Sequence, residues 1–464
     1  MVTPAADSRS GKAGDFLSLW ARRLRWPAAP CRKGVGSLFL LGLLGLPGAP
    51  LNGGGAEPEA PSVLGTSLEA FLERANSANP GLRAFEDHYE AAMQRIPRAG
   101  SLPDPRIQIT NFVESVQTRT GTQENVVMLA QTVPWFGKLN QAKAAASAEA
   151  EALWFSYQAR QLALARAVSF GYFEYGYLGR SLELTRQKLS LLRQLEPVVE
   201  ERVRGGGDIN PLLRLQVEIG MMDDREKSIL RKREAESARL NGLLAQPAQG
   251  VLPWPEWAAP QTESLNLPGL LSALESNNPE LAMLDRKVSS AEARRELAAL
   301  ENRPELTFGV NYIQTDAYPG STAADAGNDP WGVTIGISIP IWAGKNESAR
   351  GAALAARSAA GNERLDRENT LKAELAVRYS NLEDANRRLE LYGDRLLSLA
   401  RQALEITRAS YEAGRATILD VIDSERSLLE LELSYWRAAA DAWQSRIHIQ
   451  TLVNRPIPDV SPES

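Results

Sequence analysis

Two aspartates spaced three residues apart are the side chains in this sequence with the clearest chemical potential. Asp420 and Asp423 follow the turn-like segment around Gly414, and an i, i+3 spacing places both on one side of a helix. Carboxylates held close together raise one another's pKa and attract cations. An ordinary helix start is the alternative, because the helix dipole favours aspartate in a first turn. The spacing therefore predicts either a cation-attracting site or a helix start.

Patterns typical of catalysis or metal binding are missing from the sequence. His88 and His448 each stand alone, without a second histidine or a cysteine at ligand spacing. Lys138 and Lys345 follow glycine, but the earlier glycine and the following Ser or Thr of a phosphate loop are absent. No nucleophile elbow or Ser/His/Asp grouping is present, which disfavours an envelope hydrolase. We therefore expect no enzymatic activity, no metal site and no cofactor.

The elements that position the aspartates occur twice, about two hundred residues apart. The first copy contains Asn79-Pro80, then Val133-Pro134-Trp135-Phe136-Gly137-Lys138, then Arg204-Gly205-Gly206-Gly207-Asp208-Ile209. The second contains Asn278-Pro279, then Ile339-Pro340-Ile341-Trp342-Ala343-Gly344-Lys345, then Ala413-Gly414-Arg415-Ala416-Thr417-Ile418. Two copies are too few for a solenoid. The duplication instead suits a pseudo-symmetric protomer of a ring.

Each copy contains a pair of candidate membrane strands. From Trp331 to Trp342, large apolar residues alternate with small or polar ones, as in a strand with one apolar face. Such strands are long enough for the 9–11 residues of a tilted transmembrane strand, although strands of a soluble sandwich alternate just as well. Aromatic residues at the strand ends would suit the membrane interface: Trp135, Trp331, Trp342 and Tyr318. The expected strands are 106–117, 123–134, 305–316 and 331–342.

Long helices follow each strand pair. The expected helices are 137–204, 208–244, 345–413 and 417–453, of which the first and third would be about 100 Å long at ~1.5 Å per residue. In the third, a heptad pattern predicts a coiled-coil seam through Leu382/Ala385, Leu389/Tyr392, Leu396/Leu399 and Ala403/Ile406.

Four strands cannot close a barrel alone, because an open edge in lipid leaves backbone groups without hydrogen bonds. Three copies would supply twelve strands, with the helices forming a tube at one end. The predicted fold is therefore α+β and mainly α: duplicated coiled-coil hairpins form a trimeric α-barrel, and four strands per protomer enter a shared 12-stranded transmembrane β-barrel.

Composition and the N-terminal segment indicate an exported protein. The 464 residues are 44% hydrophobic and 23% charged, with a net charge of −5. Because the positive residues are scattered among acids, nucleic-acid binding is disfavoured. Basic residues before the apolar segment 34–46 predict a signal peptide, and no later apolar run reaches the ~20 residues of a spanning helix. The single cysteine, Cys31, precedes that segment, so we expect neither a lipid anchor nor a disulfide. The expected divisions are a signal peptide with lead-in (1–55), a linker (56–65), two repeats (66–250 and 251–455) and a tail (456–464).

The sequence resembles the TolC-type outer-membrane efflux family over about 66–455. The most specific segments are Gln131-Thr132-Val133-Pro134-Trp135-Phe136-Gly137-Lys138 and Ser410-Tyr411-Glu412-Ala413-Gly414-Arg415-Ala416-Thr417-Ile418-Leu419-Asp420-Val421-Ile422-Asp423. The resemblance implies a homotrimer with its barrel in the outer membrane and its helices in the periplasm. The helical tips would meet a periplasmic adaptor and, through it, an inner-membrane pump. The Pro-Trp-Phe-Gly-Lys segment is similar to the heavy-metal branch.

The resemblance also assigns roles to residues of the hairpin ends. Asp420 and Asp423 would form the ring that narrows the periplasmic mouth, helped by Tyr411 before the turn. The family's arginine after the turn is replaced here by Ala416. Either Arg415, one residue earlier, takes its place in the gate, or the mouth is held more loosely. Adaptor contacts would involve Gly205, Gly206, Asp208, Gly414 and Thr417.

The function expected from these features is a passive exit duct of a tripartite efflux system, embedded in outer-membrane lipid. The alternative is an exported coiled-coil scaffold without a membrane barrel.

Overall fold

The computed structural model describes residues 64–455 except 263, 318–319 and 321–323. The expected signal peptide, nearly all of the linker, the tail and Tyr318 lie outside the described residues. The first repeat comprises α1 (Leu68–Ala78), α2 (Pro80–Ala99), β1 (Arg106–Thr118), β2 (Gly121–Val133), α3 (Lys138–Arg204) and α4 (Asn210–Leu243). The second comprises α5 (Leu267–Asn277), α6 (Pro279–Leu300), β3 (Glu305–Asp316), β4 (Trp331–Ser338), α7 (Ala343–Glu390), a π-helical turn (Leu391–Leu396), α8 (Leu397–Glu412) and α9 (Ile418–Val453).

The repeated Asn-Pro motif makes the same contacts in both halves. The Asn79 side chain caps α2 by accepting from the Leu82 N–H at 3.1 Å, and Asn278 caps α6 by accepting from the Glu280 N–H at 2.8 Å. A proline follows each cap, at a helix position that needs no N–H donor. Each asparagine also donates to the end of its own repeat's return helix, to the Leu243 carbonyl at 3.0 Å or the Leu452 carbonyl at 2.8 Å. The duplicated motif therefore joins the short helices to the long hairpin.

The four strands form one antiparallel sheet in the order β1-β2-β3-β4. On one face, cross-strand neighbours are apolar and exposed: Ile107, Leu129, Val310 and Val333 form one row, and Ile109, Val127, Tyr312 and Trp331 form the next. The other face has small and polar neighbours, such as Thr132 and Thr307, whose hydroxyls lie 3.2 Å apart. Strand β4 ends at Ser338, earlier than the expected 342, because Pro340 has no N–H for the ladder and the Ile341 N–H turns back to the Ile339 carbonyl at 3.0 Å.

The long helices pack side by side in one layer. Helix α4 packs on α3, α3 on α9, and α9 on α7 and α8. Towards the strands, α2 and α6 pack on α3, and α6 also packs on α7. Helix α3 has 67 residues and is therefore about 100 Å long. No helix of the described part of the chain is both long and apolar enough to span a membrane.

The coiled-coil seam changes register at the π-helical turn. Leu382, Ala385 and Leu389 are buried as predicted. Beyond the turn, the predicted positions are wrong: Leu399 and Ile406 are 52% and 68% exposed, and the seam runs through Leu397 and Leu404. A π-helical turn inserts one extra residue, so each later seam position lies one residue further along the chain: Leu397 takes the place of Leu396, and Leu404 that of Ala403.

Candidate functional site

The first hairpin ends in a glycine turn. Gly206 has a φ of 92°, a left-handed conformation that glycine adopts without strain. Gly205 has an ordinary φ of −77°. The Gly207 N–H donates to the Arg202 carbonyl at 3.0 Å, which closes the end of α3. The Asp208 side chain accepts from the Asn210 N–H at 3.0 Å at the start of α4. Asp208 therefore has a local structural role at the tip.

The second hairpin ends in a similar turn followed by a capping box. Gly414 has a φ of 70°, and the Arg415 N–H donates to the Ser410 carbonyl at 2.8 Å. The Thr417 hydroxyl accepts from the Asp420 N–H at 3.3 Å, while Asp420 Oδ2 accepts from the Thr417 N–H and hydroxyl, both at 2.7 Å. This reciprocal arrangement satisfies donors at the start of α9.

Asp420 and Asp423 differ in their surroundings. The hydrogen bonds from the Thr417 hydroxyl and N–H lower the pKa of Asp420, whereas neighbouring carboxylates were expected to raise it. The Asp423 side chain is 70% exposed, and its nearest cation is Arg426, with Asp423 Oδ1 3.5 Å from Arg426 Nη1. Both aspartates are exposed, and the intervening Val421 and Ile422 are buried. Within one protomer, Asp420 therefore caps a helix and Asp423 is available for other contacts.

Tyr411 joins the two hairpin ends. Its ring is half-buried against the apolar cluster of the tips, and the Arg202 guanidinium lies 4.6 Å from the ring centroid. This is cation–π geometry. Arg415 is exposed beside the turn, and Ala416 is half-buried. The arginine that contacts Tyr411 thus comes from the other hairpin, and no sequence motif marks Arg202.

The aromatic residues at the strand ends occupy different environments. Trp331 and Trp342 are 71% and 70% exposed. Trp135 is half-buried, with its ring centroid 6.0 Å from that of Phe136, which is 80% exposed. At this corner Phe136, which sequence reasoning did not select, is the more accessible ring. The glycine-lysine motif forms a strand-to-helix corner, in which Lys138 Nζ lies 3.1 Å from Glu305 Oε1.

The two histidines have different surroundings. His88 is exposed, with its ring edge-on to Phe85 at 6.5 Å. His448 is buried, and its Nε2 lies 2.6 Å from Glu374 Oε1 and 2.8 Å from Arg166 Nη1. Burial, reinforced by Arg166, lowers the pKa of His448 to about 4. Across residues 64–455, outside the gaps, no group of three His, Cys, Asp or Glu could hold a metal ion.

Comparison with known proteins relates this chain to outer membrane efflux proteins. The sequence profile described as "Outer membrane efflux protein" matches residues 270–455. The chain is 24% identical over 426 residues to the outer membrane protein TolC of Vibrio cholerae, covering 86% of this chain and 94% of TolC. It is 22% identical over 425 residues to the pyoverdine export outer membrane protein OpmQ of Pseudomonas putida, covering 82% and 86%. The solved structure of the channel protein CusC superposes with a TM-score of 0.71 at 17% identity, covering 83% of this chain and 91% of CusC.

Residues 270–455 of this chain therefore match the outer membrane efflux protein family. Its function class is efflux and its location is the outer membrane. The relatives to which it is similar are outer membrane proteins, and one of them is an export protein.

The chain also contains a buried charge cluster that sequence reasoning missed. Lys188 of α3, Glu218 of α4 and Glu425 of α9 are 4%, 2% and 7% exposed. Lys188 Nζ lies 3.7 Å from Glu425 Oε2. Helical spacing could have identified two of them, because Glu425 follows buried Ile422 by three residues and Glu218 follows buried Leu215 by three. Charged residues at core-facing positions were the available signal.

Proposed function

We propose that this chain is one protomer of a homotrimeric exit duct, which receives cargo from an inner-membrane pump through a periplasmic adaptor. The observation that carries the proposal is the sheet: one of its faces is apolar and exposed, and both of its edges are unpaired within the protomer. From Trp331 to Ile337, outward-pointing side chains cover about 20 Å at ~3.3 Å per residue, close to the ~25 Å apolar band of outer-membrane barrels. Lipid is the environment that accepts such a face.

The edges of the sheet favour closure by copies of the same chain. The edge strands are β1 from the first repeat and β4 from the second. In a four-stranded antiparallel meander, the two edge strands run in opposite directions, so β4 of one protomer and β1 of the next can pair antiparallel. Closure removes the unpaired backbone groups that lipid does not tolerate. Three copies supply twelve strands.

The helical layer resembles the sheet in having one edge from the first repeat and the other from the second. Its ends are α4 from the first repeat and α8 from the second, because α4 packs on α3 and α8 on α9. Both ends carry exposed apolar residues at helical spacing: Ile209, Leu213, Val217 and Met221 at the first, and Leu399 and Ile406 at the second. A head-to-tail contact between unlike edges makes a ring when the rotation closes. The register change at the π-helical turn places Leu399 and Ile406 on this outer edge.

The mouth and the adaptor contacts follow from that assembly. A threefold ring would gather three copies of Asp420 and Asp423 at the free end of the helices, where carboxylates attract cations. The exposed turns at Gly206 and Gly414 would be the points of contact with the adaptor. The duct has no chemistry of its own, and the pump supplies the energy. The relatives' names refer to different cargoes, pyoverdine for OpmQ and cations for the CusC system, as expected for ducts that leave selection to the pump.

The test is cysteine labelling of neighbouring strand positions in isolated outer membranes. The sequence has only Cys31, which lies in the expected signal peptide, so the labelling background is low. We expect Ile335→Cys to react with a lipid-soluble maleimide and not with a charged one. Its matched control, Thr334→Cys on the opposite face, should show the reverse. The same membranes should contain a heat-sensitive trimer band.

The coiled-coil scaffold predicts a different result. Without a membrane barrel, both cysteines would react with the charged reagent, and the protein would separate from the membrane fraction. Either outcome would refute the proposal that the chain forms an exit duct.

A further inference from the structure

The ends of the two repeats match residue by residue. Ala245 after α4 and Asn454 after α9 are the only non-glycine residues of the described chain with a positive φ, 53° and 46°. In both repeats the N–H of the next residue turns back to a helix carbonyl, that of Asn241 at 2.8 Å or that of Gln450 at 3.3 Å. Residues at the end of the second repeat therefore lie 209 positions after their counterparts in the first.

The correspondence continues into the sequence on both sides of the repeats. We call residues 245–266, which join the two repeats, the inter-repeat segment. Its first half matches the tail at the same offset of 209: Pro247, Val251 and Pro253 correspond to Pro456, Val460 and Pro462. Its second half matches residues 56–61 at an offset of 199, that of the Asn-Pro motifs: Glu256, Ala259 and Pro260 correspond to Glu57, Ala60 and Pro61. A related sequence is thus divided between the tail and residues 56–61.

In the first repeat, the inter-repeat segment lies on α3 and α4. Trp254 stacks on Tyr175 with the ring centroids 4.7 Å apart, and the Arg233 guanidinium lies 4.7 Å from the Trp254 ring. A Cβ at Gly179 would lie 2.9 Å from Trp254 Cε3, so the indole also touches the helix backbone. The Ser237 hydroxyl donates to a carbonyl of the segment at 3.4 Å. We call these four contact residues the Trp254 site.

The second repeat has a cleft at the equivalent place. Helix α7 corresponds to α3 at an offset of 207, set by Lys138 and Lys345, and α9 corresponds to α4 at 209. The counterparts of the four residues of the Trp254 site all line the cleft: Leu382, Asn386, Ala442 and Arg446. The cleft is therefore the second repeat's version of the Trp254 site.

The chemistry of the cleft fits the tail. The tail residue that corresponds to Trp254 is Glu463, and the cleft residue that corresponds to Ser237 is Arg446. Arg446 is 6% exposed, so a carboxylate in the cleft would meet its guanidinium away from most of the solvent. Hydrogen bonds between arginine and a carboxylate are among the stronger ones in proteins. A charge pair can therefore replace the stacking of Trp254.

A glutamine beside the cleft also lacks the contact that its counterpart makes. The Asn241 side chain donates to a carbonyl of the inter-repeat segment at 2.8 Å. Its counterpart is Gln450, whose Oε1 is buried and has no hydrogen-bond partner within the part of the chain that the structure describes. Buried polar groups are normally hydrogen-bonded, so this amide is suited to bind the backbone of the tail.

A tyrosine extends the correspondence to the second half of the inter-repeat segment. The Tyr172 hydroxyl lies 2.8 Å from the Glu256 carbonyl oxygen. Its counterpart Tyr379 lies 3.0 Å from the Leu265 carbonyl oxygen. The carbonyl that corresponds to that of Glu256 belongs to Glu57. In a ring, the first repeat of the next protomer follows the second repeat as the second follows the first, so this Glu57 would come from the neighbouring protomer.

We propose that the tail (456–464) lies in this cleft and that residues 56–61 of the neighbouring protomer continue its path. Each boundary between protomers then contains a two-piece copy of the inter-repeat segment. Glu463 pairs with Arg446, and Gln450 binds the tail's backbone. The proposal rests on the duct function, because it requires a second copy of the chain beside the first.

The test is disulfide formation between protomers of the purified full-length trimer after mild oxidation. Ser464 and Glu57 are the counterparts of Pro255 and Glu256, which are neighbours in the chain with Cα atoms about 3.8 Å apart. Ser464→Cys combined with Glu57→Cys should therefore give covalent dimers and trimers on heated, non-reducing gels. The matched control is Ser464→Cys with Ser62→Cys, five residues further along an extended path and about 17 Å away, which should give monomers.

A charge reversal gives a second measurement. Glu463→Lys would place a like charge against the buried Arg446 and should lower the temperature at which the trimer band disappears by about 5 °C or more. Its matched control is Ile457→Lys, which introduces the same charge at the counterpart of Ala248, an exposed residue, and should leave that temperature unchanged.

The outcomes separate this proposal from the duct. A wild-type trimer band accompanied by no cross-link between positions 464 and 57, or by equal cross-linking at positions 57 and 62, would overturn the proposal and leave the duct intact. Equal temperatures for Glu463→Lys and Ile457→Lys would overturn it as well. Absence of the trimer band from the wild-type protein would instead refute the duct itself.

Discussion

The substitution Gly176→Ala should destabilise the protein, even though alanine is the better helix former. Gly176 lies inside helix α3, where the segment that joins the two repeats crosses it. A Cβ at this position would lie 2.8 Å from Trp257 Cδ1 and 3.0 Å from Trp257 Cε2. Real Cβ atoms do not approach ring carbons this closely, so either the helix or the indole must move.

Trp257 has little room to move. Its ring centroid lies 5.8 Å from that of Phe173 and 5.3 Å from that of Trp436. The next residue is also held, because the Trp443 indole N–H donates to the Ala258 carbonyl at 2.8 Å. Displacing the indole would disturb aromatic contacts with both α3 and α9.

The expected magnitude follows from two opposing effects. Alanine in a helix interior gains about 1 kcal/mol over glycine, whereas overpacking a filled site costs about 1–3 kcal/mol. Gly176→Ala should therefore lower the free energy of unfolding by roughly 0–2 kcal/mol. Gly242→Ala is the matched control, because a Cβ there meets nothing within 4 Å, and it should be neutral or stabilising. Gly179→Ala should fall between them, because a Cβ there would lie 2.9 Å from Cε3 of Trp254, an indole that is 37% exposed.

Thermal denaturation of the detergent-solubilised protein, followed by circular dichroism, ranks the stabilities of the three glycine variants. We expect the midpoint of Gly242→Ala to be at least that of wild type and the midpoint of Gly176→Ala to be the lowest. If Gly176→Ala and Gly242→Ala shifted the midpoint equally, the close packing of Trp257 on α3 would be refuted.

Three further predictions concern the mouth, the sheet and a buried histidine. Asp423→Asn should weaken channel block by trivalent cations in planar bilayers, whereas Asp420→Ala should also lose the half of the capping box that satisfies the Thr417 N–H; undiminished block in Asp423→Asn would remove that residue from the cation site. Ile335→Arg should cost about 2–4 kcal/mol on a lipid face and Thr334→Arg much less, measured as the temperature at which the trimer band disappears; equal losses would contradict the assigned faces. The free energy of unfolding should fall by up to ~3 kcal/mol as the pH drops from 6.5 to about 4. The reason is that the lowered pKa keeps His448 neutral in the folded protein at pH values where the unfolded chain binds a proton. Denaturation of His448→Gln should show a flatter profile between these pH values, and an unchanged slope would assign it to another group.

Local patterns were sufficient for most of the architecture. Alternation from Trp331 onwards indicated an apolar strand face, because successive side chains of a strand point to opposite sides. The long proline-poor segments indicated the hairpin helices, and the glycines at 206 and 414 marked their ends. The duplicated Asn-Pro motif indicated a repeat whose contacts match in both halves. These features depend on near neighbours in the chain, so sequence spacing was enough to reveal them.

Other features depended on residues far apart in the chain. Heptad spacing assumes an uninterrupted α-helix, and it failed after residue 390 because the π-helical turn adds a residue where Gly393 lies against Tyr435. The contact between Arg202 and Tyr411 arises only when the two hairpins are packed together.

The sequence alone determined the repeat, the order of strands and helices, the hairpin ends and the family resemblance. Each of these depends on local spacing or on contiguous motifs. Only the tertiary structure decided that Asp420 caps its own helix and that Lys188, Glu218 and Glu425 meet in a buried cluster. A charge at a core-facing position can be recognised in one helix. Its partner comes from another helix, and helix packing determines which charges meet.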